Sequence, residues 1–281
     1  MLDAFTVVND RYKIKACMGR GGFGIVYGAT DILKNRFVAI KFIRDERRED
    51  PGAEERLFDE AVRAARINHP NVVTIYDYSH HEGQPFFVME LLEGLRLDRH
   101  HLRSVMDWPH FSAVATHILD ALEAIHYNRL LHGDLKPENV MVMSGQVDNL
   151  PTAKIFDFGL SRVLDHELHQ MFEKDGSILG SLDYMAPEQF RGDPVDERTD
   201  LYSVGIVFYE LLCRGLPWEA ASSHEWIEKV VFEDPTPLQQ KNPGVDGRLE
   251  PVIMQMIAKN PSDRFATARQ ARDALLSTGG G

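Results

Sequence analysis

Two cysteines, Cys17 and Cys213, are all that the 281 residues contain, too few for a disulfide framework or a four-cysteine zinc site. They suit a reducing cytosol. Long apolar runs are also missing. The longest, around Val204 to Cys213, is interrupted by Tyr209 and Glu210 and falls far short of the roughly 20 residues that a membrane span needs. The first residues, Met-Leu-Asp-Ala-Phe, lack the basic head and apolar core of a secretion signal. The Thr-Gly-Gly-Gly end is no prenylation box; its glycines read as a flexible tail, or as the point where a longer protein continues. Basic charge is short as well: 31 Lys and Arg stand against 43 Asp and Glu, a net −12. A nucleic-acid partner is therefore not expected, because phosphate-binding domains carry a basic surplus. Internal repeats and low-complexity tracts are absent. What is present is apolar material, 43% of positions, enough for one large domain or two smaller ones with a real core.

The first ninety residues read as strand-rich. Tyr12, Ile14, Ala16 and Met18 alternate with Arg11, Lys13, Lys15 and Cys17, the period of a half-buried strand. Strands are also expected at Ile25–Tyr27, Phe37–Ile43, Val72–Tyr78 and Phe86–Leu92, with a charged, alanine-rich helix from Ala53 to Ile67. After Gly94 helices dominate. Phe111 to Tyr127 is amphipathic, with Val114, Ile118, Leu122 and Ile125 on one face. Leu201 to Cys213 is apolar nearly all round, as a buried central helix would be. Trp226–Val231, Leu249–Ala258 and Ala268–Leu276 read as further helices.

Gly19-Arg20-Gly21-Gly22-Phe23-Gly24-Ile25-Val26 fits G-x-G-x-x-G-x-V. Glycines let a backbone approach phosphate oxygens with its amides free to donate. Dinucleotide-binding folds use the same spacing but need a helix directly after the glycines, where Ile25-Val26-Tyr27 reads as a strand. A glycine-rich hairpin without a ligand stays open at this step. Lys41 weighs against it. A lysine after Val38-Ala39-Ile40 would ordinarily point to solvent; beneath a glycine loop it pairs with nucleotide phosphates, and Glu60 on the next expected helix is the acidic partner it needs.

Further along come His132-Gly133-Asp134-Leu135-Lys136-Pro137-Glu138-Asn139, then Asp157-Phe158-Gly159, then Ala186-Pro187-Glu188. With the glycine loop, Lys41 and Glu60, these six motifs in order resemble the protein kinase family, specifically its bacterial-looking, eukaryotic-like serine/threonine members. The resemblance covers nearly the whole chain. It implies an α+β, bilobal fold: a small β-rich N-lobe with one main helix (residues 1–91), a hinge (92–94), a larger, mostly helical C-lobe (95–276) and a short tail (277–281).

The resemblance also implies roles. ATP and Mg²⁺, or Mn²⁺, are the cofactors. Asp134 accepts the substrate hydroxyl's proton and Lys136 reaches the γ-phosphate, while Asn139 and Asp157 hold metal. Gly19, Gly21, Gly22, Phe23 and Gly24 cover the phosphates, which Lys41 pairs with Glu60's support. Val26 and Ala39 lie above the adenine and Met141 below it; Met89 gates the rear of the pocket, and the backbone at Glu90 and Leu92 meets the purine edge. Asp200 braces the catalytic loop and Arg264 pairs with buried Glu188. Lys136-Pro137-Glu138-Asn139 and the Gly180–Tyr184 loop imply serine or threonine in protein substrates. Some such kinases are cytoplasmic portions of longer receptor-like proteins and pair through the small lobe, so a homodimer through residues 1–91 and a cytoplasmic location are expectations.

Three departures stand out. Gly133 replaces the family's common arginine, a "non-RD" loop. Activity is then not expected to depend on a phosphoserine in the activation segment, where Ser161, Ser177 and Ser181 are the hydroxyl candidates and Arg162 is the nearest replacement grip. Ala64 is smaller than the residue the family often places there, and Ser181 stands where threonine is usual. The pairs His80-His81, His100-His101 and His166/His169 invite a metal reading, but no expected helix presents them together and no cysteine partners them, so a metal site is not expected there.

Two other functions compete: a pseudokinase or scaffold that binds nucleotide without transfer, and a small-molecule kinase of similar fold. Intact Lys41, Glu60, Asp134, Asn139 and Asp157 argue against the first. Ala186-Pro187-Glu188 with Arg264 argues against the second. The charge surplus has an address too. Residues 92–281 hold 18 basic and 29 acidic side chains against 13 and 14 in residues 1–91, which points to basic residues flanking the phosphoacceptor.

Overall fold

The computed structural model describes residues 2–21, 24–43, 62–101, 106–144, 149–157 and 182–279, with backbone only at 21, 100 and 101. Most of the expected Ala53–Ile67 helix lies outside them. The chain divides into two compact units, Met1–Glu93 and Gly94–Gly281.

The first unit is a six-stranded antiparallel sheet in the order β1-β2-β3-β4-β6-β5. Its strands are β1 (Val7–Val8), β2 (Tyr12–Gly21), β3 (Gly24–Asp31), β4 (Arg36–Ile43), β5 (Ile75–His81) and β6 (Gln84–Glu90). Val8, Tyr12, Ile14, Tyr27, Val38, Ile40, Phe42 and Phe86 form its core, with Tyr12 edge-on to Phe86 and Tyr27 edge-on to Phe42. The alternation expected along β2 holds only at its start. Tyr12 and Ile14 are buried, but Ala16 is exposed and Met18 is 54% exposed. Register shifts between Ile14 and Ala16, and again between Cys17 and Gly19, explain this: each irregularity re-aims the side chains beyond it.

In the second unit, α1 (Leu97–His101) precedes α2 (Trp108–Tyr127). Asp107 caps α2, its Oδ1 accepting from the His110 N–H at 3.1 Å, and Pro109 suits the first turn. These two signals start the helix three residues before the apolar pattern does. Val114, Ile118, Leu122 and Ile125 are fully buried. Helix α3 (Pro187–Arg191) leads to α4 (Glu197–Cys213), buried over Thr199 to Tyr209 as its all-round apolar sequence requires. Then come α5 (Ser223–Phe232), α6 (Leu238–Lys241), α7 (Leu249–Met256) and α8 (Ala268–Ser277). A three-stranded antiparallel sheet, β7 (Leu95–Arg96), β8 (Val140–Met143) and β9 (Thr152–Ile155), was not apparent in the sequence, because four-residue strands carry too few residues for a period.

Candidate active site

Within the first unit the antiparallel register gathers the expected nucleotide residues. Val26 pairs with Lys41 across β3 and β4, and Ala39 pairs with Met89 across β4 and β6. Lys41 and Ala39 are two apart on one strand, so all four side chains share a face. Lys41 is buried at 4% exposure, which a lysine tolerates only with polar partners. Gly19 pairs with Val26, and Gly21 with Gly24. Gly24 has φ +147°, and a Cβ there would lie 2.0 Å from the Phe42 carbonyl oxygen, so the turn admits no other residue. The Glu90 N–H donates to the Thr74 carbonyl at 2.9 Å. Leu92 is half-buried. Gly22, Phe23 and Glu60 lie outside the described residues.

In the second unit the loop His132–Asn139 converges on Asp134. Lys136 Nζ lies 3.1 Å from Asp134 Oδ1 and 2.8 Å from Oδ2. Asn139 Nδ2 donates to the Asp134 carbonyl at 2.7 Å and to its Oδ2 at 3.2 Å. Pro137–Asn139 form a 3₁₀ turn that brings positions 134 and 139 together. Asn139 thus spends its donors inside the loop, and its Oδ1 is the atom left to ligate.

Asp200, at the start of α4, holds the loop from below. Its Oδ1 accepts from the Gly133 N–H and its Oδ2 from the His132 N–H, both at 2.8 Å. Burial acts to raise its carboxyl, but the hydrogen bonds from His126 and from the Gly133 N–H outweigh that and hold it below the usual range. A carboxylate can only accept, so His126 Nε2, 2.8 Å from Oδ2, carries the proton. Gly133 has φ +75°, a left-handed conformation that costs glycine nothing. Burial drives the His132 imidazole below its ordinary value. Its Nε2 donates to the Phe156 carbonyl at 3.2 Å and its Nδ1 accepts the Asp134 N–H at 3.3 Å. Phe156 N–H in turn donates to the Asn139 carbonyl at 3.0 Å, tying the end of β9, and so Asp157 with φ +61°, to the Pro137–Asn139 turn. Met141 is half-buried on β8.

Phe158, Gly159, Ser161, Arg162, His166, His169, Ser177 and Ser181 lie outside the described residues. Among the described residues, no cluster of three or more His, Cys, Asp or Glu could hold a metal. An amide oxygen and one carboxylate, completed by substrate phosphates, are the oxygen donors that a hard divalent cation takes without an all-protein cage.

The order and spacing of these groups decide the family, and the protein kinase domain model matches residues 12–275. The chain belongs to the protein kinase family. It is 34% identical over 274 residues to the serine/threonine-protein kinase PknB of Mycobacterium leprae, covering 96% of this chain and 43% of that protein. It is also 34% identical over 276 residues to the serine/threonine-protein kinase pkn3 of Myxococcus xanthus, covering 94% and 49%. The chain thus spans under half the length of these relatives. The Mycobacterium tuberculosis PknI kinase domain superposes with a TM-score of 0.79 over the full length of both chains at 23% identity, which shows the shared fold. The family uses ATP with a divalent metal ion. No helix among the described residues is long and apolar enough to cross a membrane.

Sequence reasoning missed His126 and Glu210. A histidine at the end of α2's apolar face, next to Ile125, was the available signal, since a polar group there needs a buried partner. Glu210 interrupts the mostly apolar run Leu201–Cys213 of α4 in the same way, and accepts the Tyr184 hydroxyl at 2.7 Å.

Proposed function

We propose that this chain transfers the γ-phosphoryl group of ATP to serine and threonine hydroxyls of protein substrates, itself included. The observation that carries the reading is Asp134, gripped by Lys136 and Asn139 on a loop that Asp200 holds through two backbone amides. Asp134 orients the acceptor hydroxyl and takes its proton. Lys136, two residues on, neutralises charge on the transferred group. Asn139 and Asp157 would hold Mg²⁺, with Mn²⁺ as a substitute, which would supply positive charge against the phosphates. Gly19, Gly21, Gly22, Phe23 and Gly24 close over the phosphates, and Lys41 pairs with them under Glu60's charge. Val26 and Ala39 pack on the base, Met89 limits its depth, and the backbone at Glu90 and Leu92 meets its edge; Met141 contributes from the second unit by the family's pattern.

Gly133 leaves the loop without an arginine to grip a phosphate, so activity does not require a phosphorylated activation segment. Mass-spectrometric mapping after incubation with ATP and Mg²⁺, run on the wild type and Ser177→Ala, tests both statements. Phosphoserine or phosphothreonine on both proteins, with similar activity, is the result expected. Absence of any phosphate, or loss of nearly all activity in the variant, overturns them.

The acceptor side favours basic residues near the phosphoacceptor. Burial and the neighbouring Glu138 raise the Asp183 carboxyl, and burial raises that of Glu210, which also feels Glu138 and Asp183. A cation among these groups relieves their mutual repulsion. The first unit pairs with a second copy through the β3–β4 turn, where Ile32 is 49% and Leu33 71% exposed; sedimentation showing the wild type and Leu33→Asp to be equally monomeric rules this out. The chain works in the cytoplasm as the kinase segment of a longer protein, in keeping with its longer relatives.

A further inference from the structure

Lys259 follows α7, and its side chain reaches the far end of another helix. Nζ donates to the Lys229 and Val230 carbonyls at 3.0 and 2.5 Å, in the last turn of α5. The same ammonium sits 4.2 Å from the centre of the Trp218 ring. Both contacts suit a cation: the carbonyl end of a helix is its negative pole, and an indole face is the best aromatic partner for positive charge. Trp218 reinforces the seat, because its Nε1 donates to the Glu233 and Asp234 carbonyls at 3.2 and 3.1 Å, just past α5.

Helix α5 carries this restraint to the loop Leu182–Tyr184. Trp226, on α5, packs edge-on against Trp218 with ring centres 5.8 Å apart, and its Nε1 donates to the Leu182 carbonyl at 3.2 Å. Leu182, Asp183, Trp218 and Trp226 line one cavity of about 510 Å³. A shift of α5 therefore moves the loop and the cavity wall together, while the Asp134–Lys136–Asn139 cluster keeps its own bonds.

We propose that Lys259 is a positioning residue for the protein substrate: it seats α5, and α5 sets the Leu182–Tyr184 wall against which the acceptor segment lies. The inference rests on the reading of the chain as a protein kinase. It assigns Lys259 to acceptor binding, with no part in nucleotide binding or in phosphoryl transfer itself.

The seat is proton-linked. Burial lowers the Lys259 ammonium from its ordinary 10.5 to about 8; Asp234 and Glu233 favour its charge, whereas Arg191 and Arg264 oppose it. Lys229, on α5 itself, is occupied by Glu225 at 2.9 Å. With α5 lifted away, Lys259 regains its ordinary value and binds a proton more tightly than when seated. Raising the pH from about 8 therefore favours the seated state. The neutral amine still has two N–H groups for the two carbonyls.

Steady-state kinetics of the full chain with a histone acceptor, comparing the wild type, Lys259→Met and Lys259→Arg, test this. Methionine keeps the stem over Trp218 and removes the donors; arginine keeps donors and charge. The expected result is an acceptor KM raised about tenfold in Lys259→Met, the loss of roughly one charge-assisted hydrogen bond. Its kcat and ATP KM should stay within about twofold, and Lys259→Arg should lie close to the wild type at pH 7.5. Between pH 7.5 and 9 the wild-type acceptor KM should fall relative to that of Lys259→Arg, whose charge does not titrate. An unchanged acceptor KM in Lys259→Met, a proportional loss in all three constants, or identical pH profiles for the wild type and Lys259→Arg overturns the inference. A wild type that transfers nothing while binding nucleotide overturns the kinase reading itself.

Discussion

Arg264 donates both terminal nitrogens to Glu188, Nη1 to Oε1 at 2.7 Å and Nη2 to Oε2 at 2.8 Å, with their side chains 0% and 2% exposed. Thr199 adds a hydroxyl donor to Oε1 at 2.8 Å, and Arg264 Nε reaches the Ala258 carbonyl at 2.8 Å. The pair joins the α3 turn to the segment after α7. Burial alone would raise the Glu188 carboxyl, but Arg264's hydrogen bonds and charge hold it below the usual range.

Removing one partner strands the other charge in a dry site. Arg264→Leu should therefore lower the unfolding free energy by about 3–5 kcal/mol, read by urea denaturation of the second unit's transition. A loss under about 1 kcal/mol would mean that water reaches Glu188.

This pair was legible in the sequence through its motifs, Ala186-Pro187-Glu188 and Pro261-Ser262-Asp263-Arg264-Phe265. Likewise the catalytic-loop residues lie within eight positions, so their proximity needs little folding to explain. Long apolar periods were also readable: α2 and α4 lie where Val114–Ile125 and Leu201–Cys213 indicated. Other features depend on contacts between distant segments. His126 meets Asp200 74 residues away, and Lys259 meets Lys229 across 30; no local period announces either. Met18 is exposed because a register shift, invisible in the residue pattern, turned the strand.

Gly133 supports a second prediction. At φ +75° any side chain is strained, so Gly133→Ala should cost about 1–2 kcal/mol of stability. Because Asp134 follows directly, kcat should fall more than ATP KM changes. Equal stability and equal kcat in the variant would show that the loop relaxes out of the left-handed region.

Acceptor preference gives a third. A peptide array with arginine or lysine beside the phosphoacceptor should be phosphorylated better than one with aspartate or glutamate. The raised Asp183 and Glu210 carboxyls take up protons at higher pH than ordinary carboxylates, so the preference should weaken as pH falls toward the carboxylate range. An array that favours acidic flanks contradicts this account of the acceptor side.

The central claim is that Asp134 does the chemistry of protein phosphorylation. Transfer of labelled phosphate from ATP with Mg²⁺ to a protein acceptor, measured for the wild type beside Asp134→Asn, tests it most directly. The account predicts robust wild-type transfer and a loss of about 10²- to 10⁴-fold in the variant, with nucleotide affinity unchanged. Equal transfer by both proteins, or a wild type that binds nucleotide and transfers nothing, would contradict it.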